Sequence, residues 1–557
     1  MDVSHPELLW IVITSGIVSG FLALAIGAND VANAFSTSVG SGSLKLRGAI
    51  SIAVVFEILG AILLGGSVTD AIRTKVLNFG AFKDAPQDLA MGMMCATASA
   101  AIWLLFATLS GMPVSTTHSI IGALAGFGVA SGRVNSVRWM QMFYIMLSWI
   151  GVPLLAVAVS CTMYLLLQEA ILKRKKSYKV LYCSLWLLLA ITAIPLVVFL
   201  AFETPIMKVK AEEGLLHDYQ QWFNASNGNK AAVVVIIMTC FLAITVPFVY
   251  ICGSMRNKAG WSFLENQNDT NKELGVKRNS PSRQISSEGR SHSMELKVGR
   301  SKLEIVDISN IGTSRSAYET LLQSAIDDEE RTQQVVENAK QTDNHKTEVM
   351  FSAMQVIGAV TVIISHSAND TANAVAPFAT VLMLYMHGVE KSNDFTPWYI
   401  LLAGGLCMAC GLALFGYKVI KTVGLKLTRV TPSRGYTIDT TAGSIVLILS
   451  QLGIPLSSTH STVSSILGVG LVENLKTQEL HDEVPVIELK PPSHKIWAKF
   501  PILKRITTNG VNLMLYRKIF VTWITTIFCS GIMSAIIYIV VIFCHKLISG
   551  RDGTPPM

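Results

Sequence analysis

Two short polar blocks, each written twice, hold the residues of this chain that can do chemistry. Residues 27–35 read GANDVANAF and residues 367–375 read SANDTANAV, while 111–119 read GMPVSTTHS and 453–461 read GIPLSSTHS. Asn29 and Ser115 lie 86 residues apart (115 − 29), and Asn369 and Ser457 lie 88 apart (457 − 369). Each Asn-Asp block sits inside an apolar stretch long enough to cross a bilayer. A charged side chain at that depth costs about 2.5–3.5 kcal/mol on insertion scales and marks a functional site by default. Matched polar interruptions in two halves of one chain point to a transporter's binding site.

The first block offers Asn29, Asp30 and Asn33, and the second Asn369, Asp370 and Asn373. On a helix, positions i and i+4 share a face, so the asparagines of each block align. Small neighbours (Gly27, Ala28, Ala32 and Ala34; Ala368, Ala372 and Ala374) let backbones approach closely. A helix unwound here would add free carbonyls to the carboxylate and amide oxygens, making a hard-cation site. No cysteine ligand and no histidine pair at zinc spacing accompanies them. The expected cargo is sodium at Asp30 and Asp370, or a proton carried on those carboxyls. The competing account is a satisfied polar knot between helices, which must then occur twice.

The second pair of blocks offers Ser115, Thr116 and Thr117, then Ser457, Ser458 and Thr459. Each cluster follows a proline and opens a helix. Helix N-termini present unpaired N–H groups and about half a positive charge, a ready oxyanion site. Hydroxyls add donors and no fixed charge, which helps a site that must also release its anion. Plain N-capping, for which Ser and Thr are favoured, is the alternative. Gln451 precedes the second cluster and is placed to reach the same anion. His118 and His460 follow the clusters as proton carriers or as hydrogen-bonding neighbours. Glu57 lies within the apolar run VVFEILGAILLGG and needs a partner or water. It is a coupling or gating candidate, as is Asp439, for which an interfacial cap is the alternative.

These residues need a membrane scaffold to position them. The 557 residues are 51% hydrophobic and only 15% charged, against about 25% charged in soluble domains. Mean hydropathy is +0.47. The fold class expected is an all-α integral membrane protein. Crossings are expected at 8–39, 48–66, 89–110, 139–168, 180–202, 231–252, 350–386, 397–417 and 519–544, with breaks at the two Asn-Asp blocks. Gly111-Met112-Pro113 and Gly453-Ile454-Pro455 each end one helix and start another. So 89–130 and 439–472 read as helical hairpins, for roughly twelve transmembrane segments in all.

The net charge of +8 reflects loop bias and implies no nucleic-acid partner. Lys173, Arg174, Lys175, Lys176 and Lys179 place their loop in the cytoplasm, as do Lys418, Lys421, Lys426, Arg429 and Arg434. The loop 203–230 is then outside, and its Asn224-Ala225-Ser226 is a glycosylation sequon. The halves have opposite topology on this reading, the inverted-topology repeats of secondary transporters. Both termini fall outside the cell, and the first apolar run, Leu8 to Ile26, reads as a retained signal-anchor. Residues 1–252 form an N-terminal half, with a first repeat over 8–168 and two extra helices over 180–252. Residues 350–557 form the second, inverted half. Between them, 253–349 are polar and poor in aromatics, and are expected to be a largely disordered cytoplasmic loop. KIWAKFPILKRI at 495–506 reads as an interfacial amphipathic piece or an ordinary loop. The nine cysteines fall in or beside apolar segments and form no disulfide framework.

With its paired G-A-N-D-x-A-N and P-V-S-T-T-H blocks around a long variable loop, the chain resembles the PiT family of inorganic phosphate transporters. The resemblance covers about 1–250 and 350–545. It implies a twelve-segment inverted-repeat fold with discontinuous helices, and phosphate import coupled to sodium or to protons. Carried over by motif, it implies a cation site at Asn29, Asp30, Asn33, Asn369, Asp370 and Asn373. It implies a phosphate site at Ser115, Thr116, Thr117, Ser457, Ser458 and Thr459. The family's first-half transmembrane glutamate falls on Glu57. Asp439 stands where many animal members have a second glutamate, Ser458 replaces a threonine, and Ser367 replaces the usual glycine before A-N-D.

The expected function is therefore sodium-coupled phosphate import by alternating access, in a multi-pass protein of the plasma membrane. The partners are phosphate, sodium or a proton, and the lipid bilayer; a homodimer is an open assembly state, and no cofactor is expected. A proton-coupled phosphate permease and a sulfate permease are the near alternatives, and a phosphate sensor without transport is the remote one. An intramembrane hydrolase using Ser115 and His118 would not need the whole constellation twice, so the chain is not read as an enzyme.

Overall fold

The computed structural model describes residues 5–174, 176–203, 215–258, 297–298, 301–302, 345–389, 396–417, 419–420, 430–452, 454 and 456–477, and 513–548. The order of long helices is α1 (Leu9–Gly40), α2 (Leu46–Val76), α3 (Pro86–Leu109), α4 (Thr116–Ala130), α5 (Trp139–Leu167), α6 (Ser177–Glu203) and α7 (Leu215–Ala225). There follow α8 (Asn227–Lys258), α9 (His345–His387), α10 (Trp398–Phe415), α11 (Pro432–Gln451), α12 (Ser458–Thr477) and α13 (Leu513–Ile548). A two-rung hairpin, Lys297–Val298 with Ser301–Lys302, is the one sheet among the described residues.

In hydrocarbon every backbone polar group must be satisfied within the protein, which is why long apolar stretches become helices. Nine stretches among the described residues are long and apolar enough to cross a membrane, within α1, α2, α3, α5, α6, α8, α9, α10 and α13. The shorter α4 and the hydroxyl-rich α11 and α12 are not among them. Most of their serines and threonines are buried inside the bundle instead.

The helices were expected to break at the Asn-Asp blocks, and they do not. Helix α1 runs through 27–35 and α9 through 367–375 without interruption. The alanines there are strong helix formers. The buried Asn and Asp side chains find partners away from their own backbone and so do not compete with the helical ladder. No carbonyls are freed, so the site is built from side chains. The breaks come at the hairpin tips instead. Helix α3 ends just before Gly111, which sits at φ +68°, and α4 begins at Thr116.

The two signature helices run antiparallel. His5 N donates to Tyr385 O, Ser19 Oγ to Ala374 O at 2.9 Å, and Ser41 and Ser43 Oγ to Gln355 Oε1 at 2.7 and 2.6 Å. The α3–α4 hairpin has its base at the α1 N-terminal end, where Gln87 bonds His545 and His545 stacks on Trp10. The α11–α12 hairpin has its base at the other end. There Arg434 pairs with Glu473 at 2.9 Å and bonds the Tyr164 hydroxyl. The two hairpins thus enter from opposite ends of the bundle.

The base of the first hairpin is pinned by an exposed pair. Arg133 donates to both Asp84 oxygens at 2.8 and 2.6 Å. Its hydrogen bonds hold the Asp84 carboxyl below the usual carboxylate range. A depressed acid stabilises the fold above its unfolded pKa of about 4, and that contribution is lost as pH falls through the lower folded value. Acidification from pH 7 to pH 5 is therefore expected to leave this pin intact. Limited proteolysis of the 77–85 loop at the two pH values checks this: cleavage should be unchanged in the wild type, and Asp84→Asn should raise it at both.

The expected loop between the halves is shorter than 253–349, because α8 extends to Lys258 and α9 starts at His345. Packing carries both helices past the apolar runs: Arg256 bonds Ser352 Oγ and Ser43 O, and Ser177 Oγ bonds Thr347 Oγ1 at 2.7 Å. Most of the interval between them, and all of 495–506, lies outside the described residues. Asn224 of the sequon is exposed near the end of α7, while Ser226 Oγ accepts from Asn229 N at the start of α8.

Candidate functional site

The four polar blocks converge at the middle of the bundle. None of the six signature Asn and Asp residues or the six Ser and Thr residues of the clusters is more than 5% exposed. The first asparagine of each signature holds the hairpin tip of its own half. Asn29 Nδ2 donates to Thr108 Oγ1 and Met112 O at 3.1 and 3.0 Å, and its Oδ1 accepts from Val114 N at 3.1 Å. Asn369 Nδ2 donates to Leu456 O at 3.3 Å and to Asp370 Oδ1 at 2.9 Å. The second asparagine reaches the hairpin of the other half. Asn33 donates to Thr459 Oγ1 at 3.0 Å, and Asn373 to Thr117 Oγ1 at 3.1 Å.

The tips then grip each other. Thr117 Oγ1 donates to Leu456 O at 2.8 Å, and Thr459 Oγ1 donates to Val114 O at 3.0 Å. Ser115 and Ser457 cap their helices, accepting from His118 N and His460 N, both at 3.2 Å. N-capping is thus present in both clusters, alongside contacts that capping alone does not need.

The two aspartates differ. Asp370 accepts from Thr116 Oγ1 (3.1 Å), Ser458 Oγ (3.2 and 3.0 Å), Asn369 (2.9 Å) and Asn373 (3.4 Å). Asp30 accepts from Asn33 at 3.2 Å, and its Oδ2 has no hydrogen-bond partner. Asn33 Oδ1, Asn373 Oδ1 and Glu57 Oε1 are likewise buried and unpartnered. Glu57, on α2, is near enough to Asp370 for their charges to interact. A buried polar atom left unpaired costs about 1–3 kcal/mol. Oxygens of this kind are the donors that a hard cation takes.

Ser367 stands where a glycine was expected, and its hydroxyl donates to Glu57 O, tying α9 to α2 at the acid. Asp439 is no interfacial cap: it is 1% exposed, well inside α11, and its Oδ1 accepts from Thr37 at 2.6 Å. His118 and His460 meet edge to face at 4.5 Å between ring centres, and each packs on a tryptophan, Trp149 and Trp523. Neither histidine bonds the aspartates. The side chain of Gln451 lies outside the described residues.

Three residues escaped the sequence reading. His366 is buried one turn before Asp370, with both ring nitrogens unpartnered. Its place at i−4 from the aspartate was the available signal. Thr37 sits at i+4 from Asn33, and the same rule would have found it. Gln355, which gathers Ser41 and Ser43, carries no such local signal.

Comparison with known proteins gives the family. The profile of the phosphate transporter family matches residues 26–534. A sodium-dependent phosphate transporter of Plasmodium falciparum is 33% identical, the match covering 96% of this chain and 98% of that one. A sodium-dependent phosphate transporter of Toxoplasma gondii is 25% identical over 98% of each. A solved structure described as the sodium-dependent phosphate transporter superposes with a TM-score of 0.64 at 24% identity, covering 97% of this chain and all of that one. That likeness speaks for the fold alone.

Proposed function

The chain belongs to the phosphate transporter family, and from that premise we propose that it imports inorganic phosphate together with sodium by alternating access. The observation that carries the sodium assignment is the set of unpartnered buried oxygens on the two signatures, Asp30 Oδ2, Asn33 Oδ1 and Asn373 Oδ1, with Glu57 Oε1 on α2. The amide oxygens are acceptors, and the carboxyl oxygens are acceptors when ionised, which suits an oxygen-seeking cation. Phosphate docks where the N-termini of α4 and α12 face each other, on hydroxyls at the start of the two clusters. The helix ends supply unpaired N–H groups and partial positive charge. Cations beside the anion lower the cost of taking it out of water. Any net charge moved couples to voltage at about 2.3 kcal/mol per charge per 100 mV.

The antiparallel α1 and α9, and hairpins entering from opposite ends, support two inverted repeats. The nine apolar helices with α4, α11 and α12 give twelve segments. We assign the first half to residues 1–252 and the second to 350–557. On this reading the basic loop at 173–179 faces the cytoplasm and Asn224 lies outside, in a protein of the plasma membrane.

Proton coupling is the second reading, because Asp30 and Asp370 are buried carboxyls that can each carry a proton in place of a cation. Proteoliposomes separate the two readings. An inward sodium gradient at equal pH should drive accumulation of radiolabelled phosphate, and excess sulfate should not compete. Uptake driven by a pH gradient without sodium would replace sodium by the proton, and strong sulfate inhibition would replace the anion. In the same assay Asp30→Asn should raise the sodium concentration for half-maximal uptake by about tenfold or more, since it removes a charged ligand with an open oxygen. An unchanged sodium dependence in that variant would sink the cation site.

A further inference from the structure

A hydroxyl has one proton to give, and four of the six hydroxyls of the two clusters give theirs, in two different directions. Thr116 and Ser458 donate to Asp370. Thr117 and Thr459 donate to backbone carbonyls in the opposite tip, Leu456 O and Val114 O. Ser115 and Ser457 accept from their own helices, and among the described residues they donate to nothing. An anion needs donors. Resting on the phosphate reading above, we propose that Thr117 and Thr459 are a reciprocal latch that locks the hairpin tips together, while Ser115 and Ser457 are the hydroxyls that hold phosphate.

The latch is wired to the cation oxygens. The oxygens of Thr117 and Thr459 accept from Asn373 Nδ2 and Asn33 Nδ2, each belonging to the signature of the other half. The opposite ends of those amides, Asn373 Oδ1 and Asn33 Oδ1, are two of the unpartnered buried oxygens. An amide presents oxygen on one side and N–H on the other. A cation on Oδ1 therefore fixes Nδ2 toward the threonine. With its oxygen occupied as acceptor, the threonine turns its single proton to the carbonyl of the facing tip. Cation binding thus closes the tips through Asn33 and Asn373, and departure of the cation frees the amides to turn and the tips to part. Both tips are sealed at this point, with Val114 and Leu456 fully buried. Thr117 and Thr459 are positioning residues on this account, and the structure gives one to each half.

The test compares Thr117→Val and Thr459→Val, each with its Thr→Ser counterpart, against Ser115→Ala and Ser457→Ala in proteoliposomes. Valine keeps the shape and removes the proton, and monodisperse elution on gel filtration shows that a variant has folded. The valine variants should keep the KM for phosphate within about twofold and lower kcat by about fivefold or more. They should also pass radiolabelled sodium in the absence of phosphate, because tips that do not lock no longer couple the two fluxes. Serine at either position should restore coupled uptake. Ser115→Ala and Ser457→Ala should raise KM about tenfold with no sodium leak. A tenfold rise in KM in the valine variants, without leak, overturns the latch and makes the threonines ligands. An unchanged KM in both serine variants overturns the placement of phosphate on which the proposal rests, however the threonines behave.

Discussion

Asp370→Asn is expected to abolish coupled phosphate uptake. Its carboxylate receives Thr116 from α4, Ser458 from α12, and Asn369 and Asn373 from α9. Among the described residues it is the one side chain on which both hairpins and a signature helix meet. An asparagine there has one acceptor oxygen and a nitrogen that must face hydroxyl and amide donors. At least two charge-assisted bonds are lost, and each contributes about 1.5–3 kcal/mol. A loss of at least about a hundredfold in kcat/KM follows. The initial rate of radiolabelled phosphate uptake, on protein shown to be monodisperse, is the measurement. A variant with wild-type uptake would mean that the hairpins do not assemble on this carboxylate. Asp30 should behave differently. One of its oxygens is open and the other holds a single asparagine, so its replacement acts mainly on cation affinity. The two aspartates look equivalent in the sequence, and only their partners separate them.

That contrast marks how far the sequence could be read. Composition and run length pointed to a helical membrane protein, because hydrocarbon leaves an apolar chain few other choices. Gly-x-Pro breaks located both hairpin tips, because proline acts on its immediate neighbours. The clusters and signatures were found by type and spacing, and the structure brings them together. What failed was the expected break at Asn29–Asn33 and Asn369–Asn373. A buried polar residue interrupts a helix only if it turns back on its own backbone, and here the partners are side chains of the same helix or groups on other helices. Those partners are set by packing between segments hundreds of residues apart. The bonds from Thr117 to Leu456 and from Asn33 to Thr459 leave no local trace. Ser367 shows the same limit: as a departure from glycine it carried no explanation until its hydroxyl was seen on the Glu57 carbonyl.

Gly411→Ala and Gly27→Ala should be among the most destabilising of small substitutions, and they should act on transport through the same displacement. Helices α1 and α10 touch backbone to backbone. A Cβ on Gly27 would lie 2.0 Å from Met408 O, and one on Gly411 would lie 1.8 Å from Leu24 O. A carbonyl cannot rotate away as a side chain can, so the helices must separate. Between membrane helices there is no hydrophobic drive to hold them once close packing is lost. Overpacking of this kind costs about 1–3 kcal/mol, and a backbone clash belongs at the upper end or beyond. Gly27 is also two residues from Asn29 and three from Asp30, so α1 cannot shift there without dragging the signature away from the Met112–Val114 tip it holds. Gly151, in α5, faces open space, and a Cβ added there would meet nothing within 4 Å. Gly151→Ala should therefore be neutral or raise the melting temperature, since alanine favours a helix over glycine by about 1 kcal/mol. Thermal melting of the detergent-solubilised variants followed by gel filtration tests the set. Equal behaviour of Gly411→Ala and Gly151→Ala would show that generic helix propensity governs these positions. A selective collapse of Gly411→Ala would show that close approach of α1 and α10 is what holds the first signature in register with its hairpin.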